Sequence, residues 1–338
     1  MLTPFYLAAP VAVFTGVFAW AGGSLTEVLR LVAALGALAT NHAELALALA
    51  GLVLLRGNGS AALDGAALGW GFMAAARAAA AWTSPHSPLV CWLLGAGALL
   101  LGGVWPFSAS WRATDEGWGR RIGRGIIAVH ALAVTLPSSN AVVMDVWAPW
   151  AVFLPGVGVL WAGALVLVPS RQQSNLTLLW FFELQMMALV CLGTRGLGLS
   201  ILAVLAWAAI LPIAMLLCMA ASSRGSAGSS SRERALGGLA LASVLGIPGA
   251  VGFAARFLAV SSLLSASPAG LVCYVAGLLI VPAFLRPLRD EMLGVRLSNV
   301  GLVACGMVSV AVLVLGIAPG LASGDAQPIW LWRFLLNR

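Results

Sequence analysis

The stretch Leu236-Gly-Gly-Leu-Ala-Leu-Ala-Ser-Val-Leu-Gly-Ile-Pro-Gly-Ala-Val-Gly-Phe-Ala-Ala-Arg-Phe-Leu-Ala-Val-Ser-Ser-Leu-Leu264 is apolar almost throughout. Gly246-Ile-Pro-Gly249 interrupts it near the middle, and a lone charge, Arg256, follows. An apolar run of about 20 residues crosses the hydrocarbon core as a helix. Proline inside such a helix removes a backbone donor and clashes with the preceding turn. Carbonyls freed in this way persist at membrane depth only where they are buried in protein or line a wet cavity. Such breaks are typical of ion-handling helices; a simple packing kink is the other reading. On either reading the segment is a discontinuous membrane helix, with Gly246, Pro248 and Gly249 at the break.

The rest of the chain has the same character. Of 338 residues, 61% are apolar and only 9% charged, with a mean hydropathy of +1.01. A soluble domain carries roughly 25% charged residues, so a pair of soluble domains is excluded. Apolar runs bounded by polar, Gly or Pro residues give about twelve spans: 4–22, 25–40, 42–56, 63–82, 87–106, 119–137, 143–168, 174–193, 197–221, 236–264, 268–286 and 297–319. Only Thr40-Asn41-His42 separates the second from the third. The expected architecture is an all-α polytopic bundle, one transmembrane domain over residues 1–338.

Charge placement tests the count independently. All eighteen basic residues are Arg. The connectors after the odd-numbered spans hold Arg30 (just inside the second span), Arg56, the Arg112/Arg120/Arg121/Arg124 group, Arg171, Arg224/Arg232/Arg234 and Arg286/Arg289/Arg296. The intervening connectors hold only Arg195. Arginines in alternate loops are what the positive-inside rule predicts. It puts the odd connectors in the cytoplasm and both termini on the opposite side, in a bacterial inner (cytoplasmic) membrane. Residues 222–235, rich in Ser and Arg, read as a flexible cytoplasmic loop. Residues 325–338 read as an interfacial tail, with Trp330 and Trp332 at headgroup depth. The N-terminus lacks the basic start of a cleaved signal peptide, so the first span is expected to stay.

Several chemistries are excluded. The cysteines (Cys91, Cys191, Cys218, Cys273, Cys305) stand singly in apolar runs, without metal-ligand or disulfide spacing. They read as small core residues. There is no haem motif, nucleotide-binding loop or nucleophile–base set, so no cofactor, metal or catalytic residue is expected, and nucleic acid is no partner. With no Lys in the chain, any step needing a titrating Lys is closed, since Arg stays protonated.

Of the ionisable residues inside spans, five are the candidates for chemistry: Glu44, Arg77, His130, Glu183 and Arg256. Intramembrane charges normally point into the bundle, paired or lining a polar path. A fixed interhelical ion pair and a place on an ion path both fit each of them. Glu44 and Arg77 share a depth near the outer ends of consecutive spans, where a salt bridge is expected. His130, Glu183 and Arg256 lie near mid-span, and His alone has an unperturbed pKa near 7.

At these residues the chain resembles a family: the antiporter-like membrane subunits of respiratory complex I, membrane-bound hydrogenases and multisubunit cation/proton antiporters, with an inorganic-carbon uptake system among their relatives. Gly246-Ile-Pro-Gly-Ala-Val-Gly-Phe-Ala-Ala-Arg256-Phe looks like the family's GIPPxxGFxxK segment on a broken helix. Trp105-Pro-Phe-Ser-Ala-Ser-Trp111-Arg-Ala-Thr-Asp115-Glu-Gly is similar to the PFHxWLPDAxEG loop with one residue inserted. Ala128-Val-His130-Ala-Leu-Ala resembles the helix carrying a His or Lys. Ser174-Asn-Leu-Thr-Leu-Leu-Trp is similar in place to DLKRLLAYS. Ala283-Phe-Leu-Arg286-Pro-Leu-Arg289-Asp-Glu-Met resembles the YYLRVVRDMF helix end, and Leu315-Gly-Ile-Ala-Pro319 the LGIxP of the last helix. Six segments keep the family's order over nearly the whole chain. The departures are equally plain. The chain is short by about the first two of fourteen helices. Leu101 or Gly102 stands where the family has a Lys, a second Lys is absent, and Arg256 replaces the last. Glu44 matches the family Glu, unless the register set by Asn41 puts Ala50 there. Glu183 stands where a small hydroxyl residue is usual.

The resemblance implies a non-catalytic membrane subunit of an NADH-quinone-oxidoreductase-like or hydrogenase-like complex, supporting proton or cation translocation without a redox centre. Its partners would be membrane lipids and other membrane subunits, homologous antiporter-like ones included. The missing lysines leave open a structural subunit with a lost channel. A cation/proton antiporter or inorganic-carbon complex is a further alternative, and a stand-alone transporter would show internal repeats.

Overall fold

The computed structural model describes residues 25–39, 43–54, 65–84, 87–104, 127, 141–167, 175–194, 199–221, 230–292, 297 and 299–322. Among these, all regular structure is helical. In chain order the helices are α1 (Leu25–Ala39), α2 (Ala43–Leu54), α3 (Gly65–Trp82), α4 (Pro88–Leu101), α5 (Ala141–Leu167), α6 (Asn175–Gly193), α7 (Leu199–Ala221), α8 (Ser231–Leu245), α9 (Val251–Ala266), α10 (Pro268–Ile280), α11 (Leu285–Met292) and α12 (Asn299–Ile317). Short 3-10 turns, Val281–Phe284 and Pro319–Ala322, follow α10 and α12. The spans at 4–22 and 119–137 (Ile127 apart), the tail 325–338 and the family-like loop from Trp105 lie outside the described residues. The stretches Trp150–Leu167, Asn175–Gly193 and Pro268–Arg289 are each long and apolar enough to cross a bilayer, and shorter apolar helices surround them.

α6 is the post of the bundle. A helix that is apolar all round belongs in the interior, and every residue from Leu176 to Gly193 is buried except Glu183. One large core cluster packs α6 against α5, α7, α8, α9, α10 and α12. A smaller one joins α1 to α4 to α5 and to Ala188 and Leu192 of α6. Two polar contacts pin the smaller half to the post. The Trp147 indole N–H donates to the Cys91 carbonyl at 3.3 Å, and Gln185 Nε2 donates to the Gly103 carbonyl at 3.1 Å. Cys91 and Cys191 are buried in these clusters, with Cys305.

Two boundaries differ from the sequence expectation. Residues 231–235, assigned to the flexible loop 222–235, form the first turn of α8; residues 222–229 lie outside the described residues. The reason is a capping box, which satisfies the orphan N–H groups of a helix start. The Glu233 backbone N–H donates to Ser230 Oγ, and Glu233 Oε2 accepts from the Ser230 N–H at 2.6 Å. Composition alone had suggested only a linker. Arg286 and Arg289, assigned to a connector, sit on α11.

Glu233 does a second job. It is 4% exposed, and its Oε1 accepts the Leu297 backbone N–H at 2.6 Å, stapling the start of α8 to the approach to α12. Glu233→Ala strands two N–H donors and should cost about 1–3 kcal/mol. Glu233→Gln, which keeps one acceptor oxygen, should cost less. Thermal unfolding in detergent checks this; an Ala variant as stable as the parent would show that the staple contributes nothing.

Candidate functional site

The site is built where α8 stops. Gly246 adopts φ 75°, ψ 41°, a left-handed conformation that glycine enters without a Cβ penalty. This turns the Gly246 N–H back to the Ser243 carbonyl (3.0 Å) and the Ile247 N–H to the Ala242 carbonyl (2.9 Å). The closure satisfies two of the carbonyls left over at a helix end. Pro248 cannot extend the helix, and the chain re-enters α9 from Ala250, which has no side-chain cap of its own. Residues from elsewhere do the capping. Ser243 Oγ accepts the Gly252 N–H at 3.3 Å, and Arg256 Nη2 donates to the Val244 carbonyl. α12 backs the break so closely that a Cβ on Gly316 would collide with the Gly249 carbonyl and the Ala250 backbone.

The same Arg256 nitrogen reaches the post. Nη2 lies 2.9 Å from Glu183 Oε1, with the two side chains 11% and 14% exposed. Arg256 Nε is buried with no hydrogen-bond partner. The arginine stem passes beside Gly246, where a Cβ would sit 2.6 Å from Cδ. Tyr274, on α10 and 3% exposed, brings its hydroxyl within electrostatic reach of both charges. These groups line a small, partly open pocket between α6, α7, α8, α9 and α10, otherwise walled by residues such as Met186, Val190, Leu205 and Ala209. It has room for a water or two. Chemically, the pocket offers one carboxylate, one phenol, one backbone carbonyl and a cation that cannot lose its proton.

The structure thus brings together Glu183, Arg256 and the Gly246–Gly249 break. His130 lies outside the described residues. Arg77 is on α3 with an exposed side chain, and Glu44 is on α2 with its side chain outside the described residues, so their pairing is not described. Tyr274, the Val244 carbonyl and Gln185 escaped the sequence reading. Tyr274 and Gln185 were open to it, since each is a hydrogen-bonding group inside an apolar run; Gln185 is fully buried and its Oε1 has no partner.

No protein-family model matches the sequence, and no curated protein does. Solved structures do. A chain of the membrane-bound sulfane sulfur reductase, an archaeal respiratory membrane complex, superposes with a TM-score of 0.78 at 14% identity, over 96% of this chain and 66% of that one. A chain of respiratory complex I from Thermus thermophilus gives 0.76 at 16% identity, over 94% and 82%. A chain of the Mrp complex from Dietzia sp. DQ12-45-1b gives 0.62 at 14%, over 96% and 82%. The fold is that of the antiporter-like membrane subunits. This chain spans slightly under two thirds of the first match's length. With its apolar helices and this fold, the chain is an integral membrane protein, and these three structural neighbours are chains of multisubunit membrane complexes.

Breaking a buried ion pair by removing one partner costs about 3–5 kcal/mol, because the other charge is left uncompensated. Arg256→Gln should therefore destabilise the chain strongly. Glu183→Gln/Arg256→Gln should recover a substantial part of that loss, since no bare charge remains. A double-mutant cycle by thermal unfolding reads this; additive losses would mean that the two groups do not depend on each other.

Proposed function

We propose that this chain is a membrane subunit of a complex I-like assembly of the quinone-linked oxidoreductase type. It supports proton or cation translocation and carries no redox centre of its own. The observation that carries this reading is the Glu183–Arg256 pair, held in a pocket over a broken membrane helix within an antiporter-like fold. In this reading about twelve spans cross a bacterial inner membrane, with both termini on the non-cytoplasmic side. Exposed apolar faces, such as Val303, Met307 and Val310 on α12, pack on lipid and on homologous antiporter-like subunits. His130 relays protons, because it alone among the mid-span groups has an unperturbed pKa near 7. Glu183 is its carboxylate partner, and Arg256 is a fixed positive charge that steers the proton onward without carrying it. Glu44 and Arg77 close a separate ion pair near the outer surface.

A second reading is a structural subunit whose path is lost. The bonded state of Arg256 and the absence of Lys favour it. One experiment separates the two. The chain is purified in mild detergent with its partners, the complex is sealed into vesicles, and ion movement is measured against turnover of the driving reaction. His130→Gln should leave assembly intact and lower the ratio of ions moved to turnovers. An unchanged ratio in the intact variant shows that protons do not pass through His130 and favours the structural reading, and a species that purifies alone removes the complex I-like reading.

For the outer pair, charge-reversed Glu44→Arg/Arg77→Glu should be more stable than either single variant. No advantage for the double reversal would dissolve that pairing.

A further inference from the structure

We infer that the space between Glu183 and the Val244 carbonyl is a monovalent-cation site, and that the chain fills it with its own Arg256 guanidinium. The first support is how Arg256 is used. Arginine normally meets a carboxylate through two parallel N–H bonds from its planar fork. Here a single nitrogen, Nη2, serves both Glu183 Oε1 and the Val244 oxygen, while Nε stays buried and unbonded. The carboxylate is not met by the paired fork. The head group acts as a point charge lodged between two oxygens, the position a bare cation would take.

The second support is the kind of oxygen that surrounds it. A carboxylate and a carbonyl released at a broken helix end are hard donors of the type that hold alkali cations. The α8 C-terminus adds its own partial negative charge. The Tyr274 hydroxyl, in the same pocket, is a third oxygen within electrostatic reach. The third support is the route of the stem. It runs past Gly246, where any side chain would meet Arg256 Cδ, so the break makes the carbonyl available and also clears the way for the tethered cation.

A tethered occupant competes at high effective concentration, so free sodium or potassium is kept out. The consequence for ion choice rests on the proposed role in translocation: with the guanidinium in place, this pocket would pass no sodium or potassium. The occupancy itself is independent of that role, and its test involves no transport.

The test uses the full chain, with whatever partners co-purify, in detergent. Arg256→Met fills the stem's volume and leaves the head group's place open. Its thermal unfolding is measured with guanidinium, sodium, potassium or choline chloride at equal ionic strength and millimolar concentration. The parent protein should unfold at the same temperature in all four. Arg256→Met should show a saturable upward shift with guanidinium or an alkali cation over choline, on the order of a few degrees for a chain of this length. Glu183→Gln/Arg256→Met, which lacks the carboxylate, should lose that shift. Arg256→Met with identical unfolding in all four salts overturns the proposal. So does a parent protein that responds to sodium as strongly as the variant.

Discussion

A backbone polar group in hydrocarbon has no water to fall back on, and leaving one unsatisfied costs several kcal/mol. The interruption between Leu245 and Val251 exposes such groups inside a membrane bundle, and the surrounding structure follows from satisfying them. The glycine turn at Gly246 takes care of two carbonyls. Ser243, from the end of α8, caps the start of α9; Arg256, from the second turn of α9, caps the end of α8. The two half-helices therefore cap each other, and neither end is complete without the other. α12 can lie against this crossing only because Gly316 offers no side chain. Arg256 brings a full charge into the interior, and that charge needs a partner on the post. Glu183, the one residue of α6 from Leu176 onward that is not fully buried, supplies it.

The post imposes its own condition. A helix buried on every side has no lipid-facing stripe on which to place a polar group, so polar atoms on α6 have only protein to bond with, and the Trp180 indole N–H and Gln185 Oε1 go without a partner. Gln185 Nε2 finds one in the carbonyl of Gly103 at the end of α4. It lies two residues from Glu183, about 200° around the helix. The helix thus carries its ion pair on one side and its tie to α4 on another. The low-dielectric surroundings strengthen both contacts, and they make an unpartnered group costly.

Much of this was legible in the sequence for a simple reason. Apolar run length fixes where helices form, and Gly246-Ile-Pro-Gly249 announces where one of them stops. Position along a run gives depth, which is why Glu183 and Arg256 could be set at the same level before any contact was known. Rotation about each helix axis is what a single sequence does not encode. A tyrosine in the apolar run of α10 stands out as a hydrogen-bonding group, but its place in the run does not say which neighbour it faces, so Tyr274 was not set beside Arg256. The Val244 carbonyl has no sequence signature, because every residue has one. The start of α8 was misjudged for a different reason. Its Ser and Arg content matches a linker, while two residues, Ser230 and Glu233, carry the capping information.

That the charge at position 256 is an arginine and not a lysine bears on what the pocket can do. A lysine there would present a compact charge whose proton can leave when burial disfavours it. The guanidinium keeps its proton, so the pocket never loses its positive charge through titration. The Glu183 carboxylate is held against that fixed cation, and the Val244 carbonyl at the end of α8 holds the same nitrogen. In the proposed role, the half-helix break becomes the seat of the cation, and the carboxylate on the buried post its counter-charge.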